Sequence, residues 1–78
     1  NMKLIEYKTQ QHEEALPIEQ VNMDWEAARV HAASKAKGCV LVRTFIIADL
    51  DSDGPVMRWY NWKGIIFKST AKKVRRKI

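Results

Sequence analysis

The chain has one cysteine, two prolines and three glycines in 78 residues. Cys39 has no partner for an internal disulfide, so packing alone must hold the fold. No apolar run approaches the ~20 residues that cross a bilayer as a helix. No basic-then-apolar opening resembles a secretory signal, and Asn1 precedes Met2, the expected initiator, so a cytoplasmic protein is expected. Also missing are a glycine-rich phosphate loop, a G-x-S-x-G elbow and zinc-type spacing among His12, His31 and Cys39. No catalytic residue, metal or cofactor is therefore expected, and the chain reads as a non-enzyme. Its length suits one small domain, and an apolar share of 46% supports a thin core.

Acidic residues are absent from the last eleven positions. Residues 1–67 carry eight basic and nine acidic side chains, whereas residues 68–78 carry Lys68, Lys72, Lys73, Arg75, Arg76 and Lys77 unopposed. The whole excess of five positive charges thus resides in the C-terminal segment. Each cation that neutralises a phosphate releases condensed counterions, so such a segment attracts nucleic acid, DNA or RNA, in a sequence-independent way. An anionic membrane surface or an acidic protein patch would attract it by the same electrostatics, and a solvated tail needs no partner.

The hydropathy pattern predicts a strand, a helix and two further strands. Lys3–Thr9 alternates in polarity, with Ile5 and Tyr7 on one side. Residues 10–21 are polar, contain Pro17 and read as a connecting loop. From Met23 to Lys37 there is no glycine or proline, five alanines favour helix, Asn22 offers a cap and Gly38 a stop. Trp25, Ala28, Ala32 and Ala36 form one apolar stripe and Met23, Ala27, Val30 and Ser34 a second. Cys39–Ala48 is dense in β-branched and aromatic residues and reads as a strand; Val56–Lys63 continues through Ile65–Lys68 as its hairpin partner, with a bulge or bend at Gly64. The fold class is α+β: one helix on a three-stranded sheet in residues 2–68, followed by a basic tail, 69–78, disordered or forming a short helix capped by Ser69.

A four-residue turn at 51–54 pairs residues whose numbers sum to 105. Ala48 then faces Met57, Ile46 faces Trp59, Thr44 faces Asn61, Val42 faces Lys63 and Val40 faces Ile65, an apolar set expected under the helix. The opposite side would carry Ile47 with Arg58, Phe45 with Tyr60, and Arg43 with Trp62. Arg43, Phe45, Arg58, Tyr60 and Trp62 on an open sheet face would stack bases and pair phosphates. The same residue types suit a protein partner or a homodimer, and cation–π contacts within the chain are the structural alternative.

Two local patterns are read as structure. Asp49-Leu50-Asp51-Ser52-Asp53-Gly54 opens like a calcium loop, but Tyr60 stands twelfth where a bidentate glutamate belongs, so a hairpin turn is expected. His31 and Cys39 could form a nucleophile pair only if folding joined them, and nothing nearby would orient it.

The succession of short strand, alanine-rich helix from Trp25-Glu26-Ala27-Ala28 through Ala32-Ala33-Ser34-Lys35, Gly38 and hairpin resembles that of small phage and mobile-element proteins, some anti-CRISPR inhibitors among them. The resemblance is architectural, spans residues 3–67 and carries no binding residues across. It implies a host-directed inhibitor or a DNA-associated accessory protein. The expected function is a non-enzymatic nucleic-acid-binding accessory protein, the alternative a protein-interaction or inhibitor module.

Overall fold

The computed structural model describes residues 1–52 and 56–71. Helix α1 spans Trp25–Lys37 and lies on one side of an antiparallel sheet of five strands, β1 (Met2–Lys8), β2 (Glu19–Asn22), β3 (Thr44–Asp49), β4 (Val56–Asn61) and β5 (Ile66–Ala71), in the order β2-β1-β3-β4-β5. The expected α+β class with a single helix holds, but the sheet has five strands instead of three. Asp24, not Asn22, caps α1 by accepting the Ala27 N–H at 2.8 Å, and the Gly38 N–H closes the other end on the carbonyls of Lys35 and Ala36. Ala28, Ala32 and Ala36 face the sheet and are buried, as the first stripe predicts; Ala27, Val30 and Ser34 of the second stripe are exposed.

The extra strands come from short local signals. Glu19–Asn22, expected as the end of the loop and the helix cap, pairs with Met2–Ile5 because Glu19 and Val21 alternate inward while Gln20 and Asn22 face water. Gly64 is not a bulge within one long strand but the turn residue of a second hairpin. The Asn61 Oδ1 accepts the N–H groups of Lys63 and Ile65 at 2.9 and 3.0 Å, and Gly64 adopts φ +85°, a three-residue loop with a left-handed closing position. The irregularity instead falls between Trp59 and Tyr60, opposite Phe67. Strand β5 includes Ser69, Thr70 and Ala71, three positions expected in the tail. Residues 72–78, with the expected tail, and 53–55, with part of the expected turn, lie outside the described residues.

The β3–β4 register is the expected one from Thr44↔Asn61 to Ala48↔Met57. The faces are exchanged. Phe45 and Ile47 have no exposed surface and Tyr60 only 3%, packed in one cluster with Ile5, Tyr7 and the three inward alanines. Ile46, Trp59, Ala48 and Met57 lie on the uncovered side. Phe45 and Tyr60 are thus core residues, not members of an open platform. Strand β1 supplies the reason: Ile5 and Tyr7 pair with Ile47 and Phe45, while Glu6 and Lys8 pair with Ile46 and Thr44. Covering the Ile46 side would desolvate the Glu6–Lys8 ion pair, at several kcal/mol per ion. Covering the Phe45 side gains roughly 1.5–3 kcal/mol for each large apolar side chain buried. The alanines also let α1 approach closely, so rings fill the layer beneath it.

Two polar attachments complete the core. Glu19 of β2 accepts hydrogen bonds from the Tyr7 hydroxyl at 2.5 Å and the Lys35 ammonium at 2.8 Å, with His31 Nε2 at 3.2 Å. Partial burial pushes its pKa upward, but the bonds from Lys35, Tyr7 and His31 outweigh that and leave it below the ordinary value. Tyr7 is shifted upward, by burial first and by its bond to Glu19 second. At the far end of β1, Lys3 is buried with its Nζ 3.5 Å from Asp49 and 5.2 Å from the Trp25 ring centre. Asp51 accepts hydrogen bonds from the Asn1 amino group and the Met2 N–H, both at 2.8 Å. Both described carboxylates of the calcium-like pattern therefore hold the N-terminal strand.

Candidate functional site

Helix α1 packs chiefly on β1 and β3, and beyond the buried Tyr60 its flank stands over β4 and β5 without filling the space between them. A furrow follows that flank of the helix. Its first hollow, about 310 Å³, lies among Trp25, Glu26, Arg29, Arg58, Tyr60 and Ile66. The second, about 370 Å³, shares Arg29 and continues past Val30, Lys37, Trp62 and Lys63. The third, about 300 Å³, shares Lys37 and Trp62 and ends at Cys39, Val40 and Arg43. The exposed Val30 and Val40 are thus part of its lining.

Local chemistry sets each wall. Arg29 donates to both Glu26 carboxylate oxygens, at 2.9 and 2.5 Å, and reaches the Gly64 carbonyl at 3.4 Å, so it ties α1 to the β4–β5 turn. Each partner favours the other's charged form: Glu26 is lowered and Arg29 raised, chiefly by their mutual hydrogen bonds. Opposite, the Arg58 guanidinium stacks 4.0 Å from the Trp25 ring centre. The Trp62 backbone N–H donates to the Arg43 carbonyl at 3.0 Å, which ties the start of the β4–β5 turn to the segment before β3, and the Trp62 ring has the Lys63 ammonium 5.3 Å from its centre.

The charges are sorted by position. Away from the furrow, Lys3, Lys8 and Lys35 each pair with a carboxylate, and Lys68 lies against Trp59 with no described carboxylate partner. Of the five furrow cations, only Arg29 has a described carboxylate partner, whereas Lys37, Arg43, Arg58 and Lys63 pair with none among the described residues. Glu26 is the single acid in the lining. A concave surface with net positive charge and low-dielectric aromatic walls focuses an attractive potential on an anion.

Of the residues expected at a binding surface, Arg43, Arg58 and Trp62 meet in this furrow, and Tyr60 contributes only its edge as floor. Phe45 does not reach it. Lys68 lies on the other side of the sheet, its Nζ 4.8 Å from the Trp59 ring centre. Lys72, Lys73, Arg75, Arg76 and Lys77 lie outside the described residues. Arg29, Lys37 and Lys63 were not legible as site residues; the helical positions 29, 33 and 37, spaced by four along one flank, were the signal available. His31 is engaged by Glu19 on the β2 side, whereas Cys39 lines the end of the furrow. No cluster of three potential metal ligands occurs among the described residues, and no described helix is long and apolar enough to cross a membrane. Comparison with protein-family models, curated proteins and solved structures finds no match.

Proposed function

We propose that the protein binds single-stranded nucleic acid, DNA or RNA, along the furrow beside α1. The observation that carries this reading is the concentration of cations without a described carboxylate partner: Lys37, Arg43, Arg58 and Lys63 gather in the furrow, where they lie against indoles or open to an external anion. Elsewhere Lys3, Lys8 and Lys35 are neutralised by carboxylates, and Lys68 alone of the described cations outside the furrow is not. Lys37, Arg43, Arg58 and Lys63 take phosphates, and Trp62, half exposed between two hollows, offers a stacking surface for a base. Binding is association without chemistry. Strand β5 ends at Ala71, opposite Val56, two residue pairs beyond Ser69↔Arg58, and the cationic residues that follow in sequence add phosphate contacts.

Fluorescence anisotropy with labelled single-stranded and duplex oligonucleotides across a salt series tests it. The logarithm of the binding constant should fall linearly with that of salt, and each lost phosphate contact should reduce the slope by ~0.7 on a single strand. Lys37→Ala with Arg43→Ala should therefore flatten the slope by ~1.4. An unaltered slope in that double variant would reject the furrow as the binding surface.

A protein-interaction or inhibitor module is the second reading. It is favoured by the face opposite the helix, where Leu4, Ile46, Ala48, Met57 and Trp59 form a half-buried apolar strip with no second layer over it among the described residues. A protein partner retained at ~0.5 M salt and lost on Trp59→Ala would support it, because apolar contact is screened little.

A further inference from the structure

The strand registers arrange the side of the sheet opposite α1 in rows that run from β1 to β5. Glu6, Ile46, Trp59 and Lys68 make the central row, and Leu4, Ala48, Met57 and Thr70 the next. On the other side of the central row stand Lys8, Thr44 and Asn61. The midline between β3 and β4 separates complementary halves. In the central row an acid ends the β1 half and a base the β5 half, with Ile46 and Trp59 between them; in the next, small Ala48 stands beside large Met57.

We propose that a second copy of this chain covers this side, the two sheets packing face to face about a two-fold axis that runs along the strands between β3 and β4. Such an axis lays β1 of one copy over β5 of the other and β3 over β4. Glu6 of one copy then meets Lys68 of the other, Ile46 meets Trp59, Ala48 meets Met57 and Thr44 meets Asn61. Lys8 comes over Ile65, whose carbonyl accepts the Asn61 N–H, so no row sets like charges together. Charge selects a copy of the chain as the occupant. Within one chain Glu6 and Lys68 are three strand spacings, ~14 Å, apart and cannot pair, whereas this axis joins them twice. The Lys68 ammonium lies 4.8 Å from the Trp59 ring centre, so any layer over Trp59 desolvates it and must bring an acid. Glu6, 3.3 Å from Lys8 through one carboxylate oxygen, has a second oxygen to receive it.

Twisted sheets pack ~10 Å apart with their strands inclined by ~30°. At ~7 Å from the axis that inclination offsets Glu6 from Lys68 by ~4 Å, within reach of two long side chains. The β5 strands fall on opposite edges of the stack, ~17 Å apart, about twice the ~8 Å screening length of physiological salt, so the cationic residues after Ala71 start well separated. Both helices and both furrows face outward. The pairing therefore rests on the reading of this side as a protein-interaction surface and is independent of the nucleic-acid site.

Sedimentation equilibrium with charge-exchanged variants tests it, at ~100 μM chain, above the micromolar constants of the weaker interfaces of standard size. The native chain should be dimeric and remain so at ~0.5 M salt, because apolar contact is screened little. Glu6→Lys opposes two cations at each of two contacts, and Lys68→Glu two anions; each variant, folded by circular dichroism, should dimerise at least ~10-fold more weakly. An equimolar mixture of the two variants places every exchanged charge against its opposite and should recover the native constant. A monomeric mass for the native chain, a folded Glu6→Lys that dimerises as tightly as the native chain, or a mixture no tighter than either variant alone would each overturn the proposal. A monomer that binds a different protein and loses it on Trp59→Ala refutes the self-pairing and keeps the interaction reading. A dimer indifferent to both Glu6→Lys and Trp59→Ala removes this side of the sheet from both.

Discussion

The rings of Phe45 and Tyr60 stack across β3 and β4 with their centres 5.0 Å apart and their planes 19° from parallel, enclosed by the alanine face of α1. Tyr7 tilts against Phe45 at 6.3 Å, so three rings from three strands make up the bulk of the layer beneath the helix. Alanine side chains cannot collapse into a void left there. Phe45→Ala is therefore expected to cost about 3–5 kcal/mol, much of the stability of a small domain, read as a lowered midpoint in urea with an unchanged slope. A Phe45→Ala protein that keeps its midpoint and loses only ligand binding would return this ring to the surface.

Pairing and parity are separate pieces of information, and the sequence carried the first better than the second. An Asp- and Gly-containing turn signal between two β-rich runs was enough to pair Phe45 with Tyr60. Which face the pair presents depends on β1, forty residues away, where the alternation of Ile5 and Tyr7 with Glu6 and Lys8 chooses the side. That choice needs the β1–β3 register, which no local pattern contains. The second hairpin was legible in principle: Asn61 and Gly64 flank Trp62-Lys63, but a run of apolar residues on both sides masks the turn. Strand β2 was hidden because Glu19 and Gln20 disfavour strand locally; Glu19 earns its place through Tyr7, His31 and Lys35. Arg43, Arg58 and Trp62, expected on an open sheet face, meet instead beside the helix, because the side on which they stand is the one β1 turns toward α1.

Gly64 combines a left-handed backbone with a crowded position. A Cβ there would lie 3.1 Å from both the Ala33 Cβ and the Arg29 Nη1. Gly64→Ala should therefore strain the turn and push it from α1, costing about 1–3 kcal/mol. Hydrogen exchange should report the change first at the Ile65 and Lys63 amides bonded to Asn61, while the β1–β3 ladder keeps its protection. Equal loss of protection throughout would show that the turn is no separate unit.

The Glu19 cluster sets stability at both ends of the pH range. Glu19 titrates lower in the folded chain than in the unfolded one, so its contribution is complete above the unfolded carboxylate value of about 4.3 and is lost as pH falls through the folded value. Tyr7 is raised, so its contribution is complete below the unfolded value of about 10 and is lost as pH rises beyond it. Glu19→Gln should flatten the acid limb of the thermal-stability profile, and Tyr7→Phe the alkaline limb. Tyr7→Phe should also cost about 1.5–3 kcal/mol at neutral pH, as expected for loss of a hydrogen bond to a charged group. An alkaline limb that persists in Tyr7→Phe would assign it to another group.

The two faces of the sheet are distinguished by two cation–indole pairs, Lys63 on Trp62 in the furrow and Lys68 on Trp59 on the uncovered side. Stacking on an exposed ring is worth ~1–3 kcal/mol per base, so Trp62→Ala should weaken single-stranded binding roughly 5- to 150-fold and leave the salt slope intact, since no phosphate contact is lost. Lys63→Ala should do the reverse, lowering the slope with a smaller loss at high salt. Charges separated from the bound strand by more than the ~8 Å screening length of physiological salt contribute little, so Lys68→Ala and Trp59→Ala should leave affinity within about twofold. Anisotropy titrations of the four variants separate the faces: a larger loss from Trp59→Ala than from Trp62→Ala would move the nucleic acid to the open side of the sheet, against the Ile46 strip, and leave the furrow's unpaired cations without a ligand.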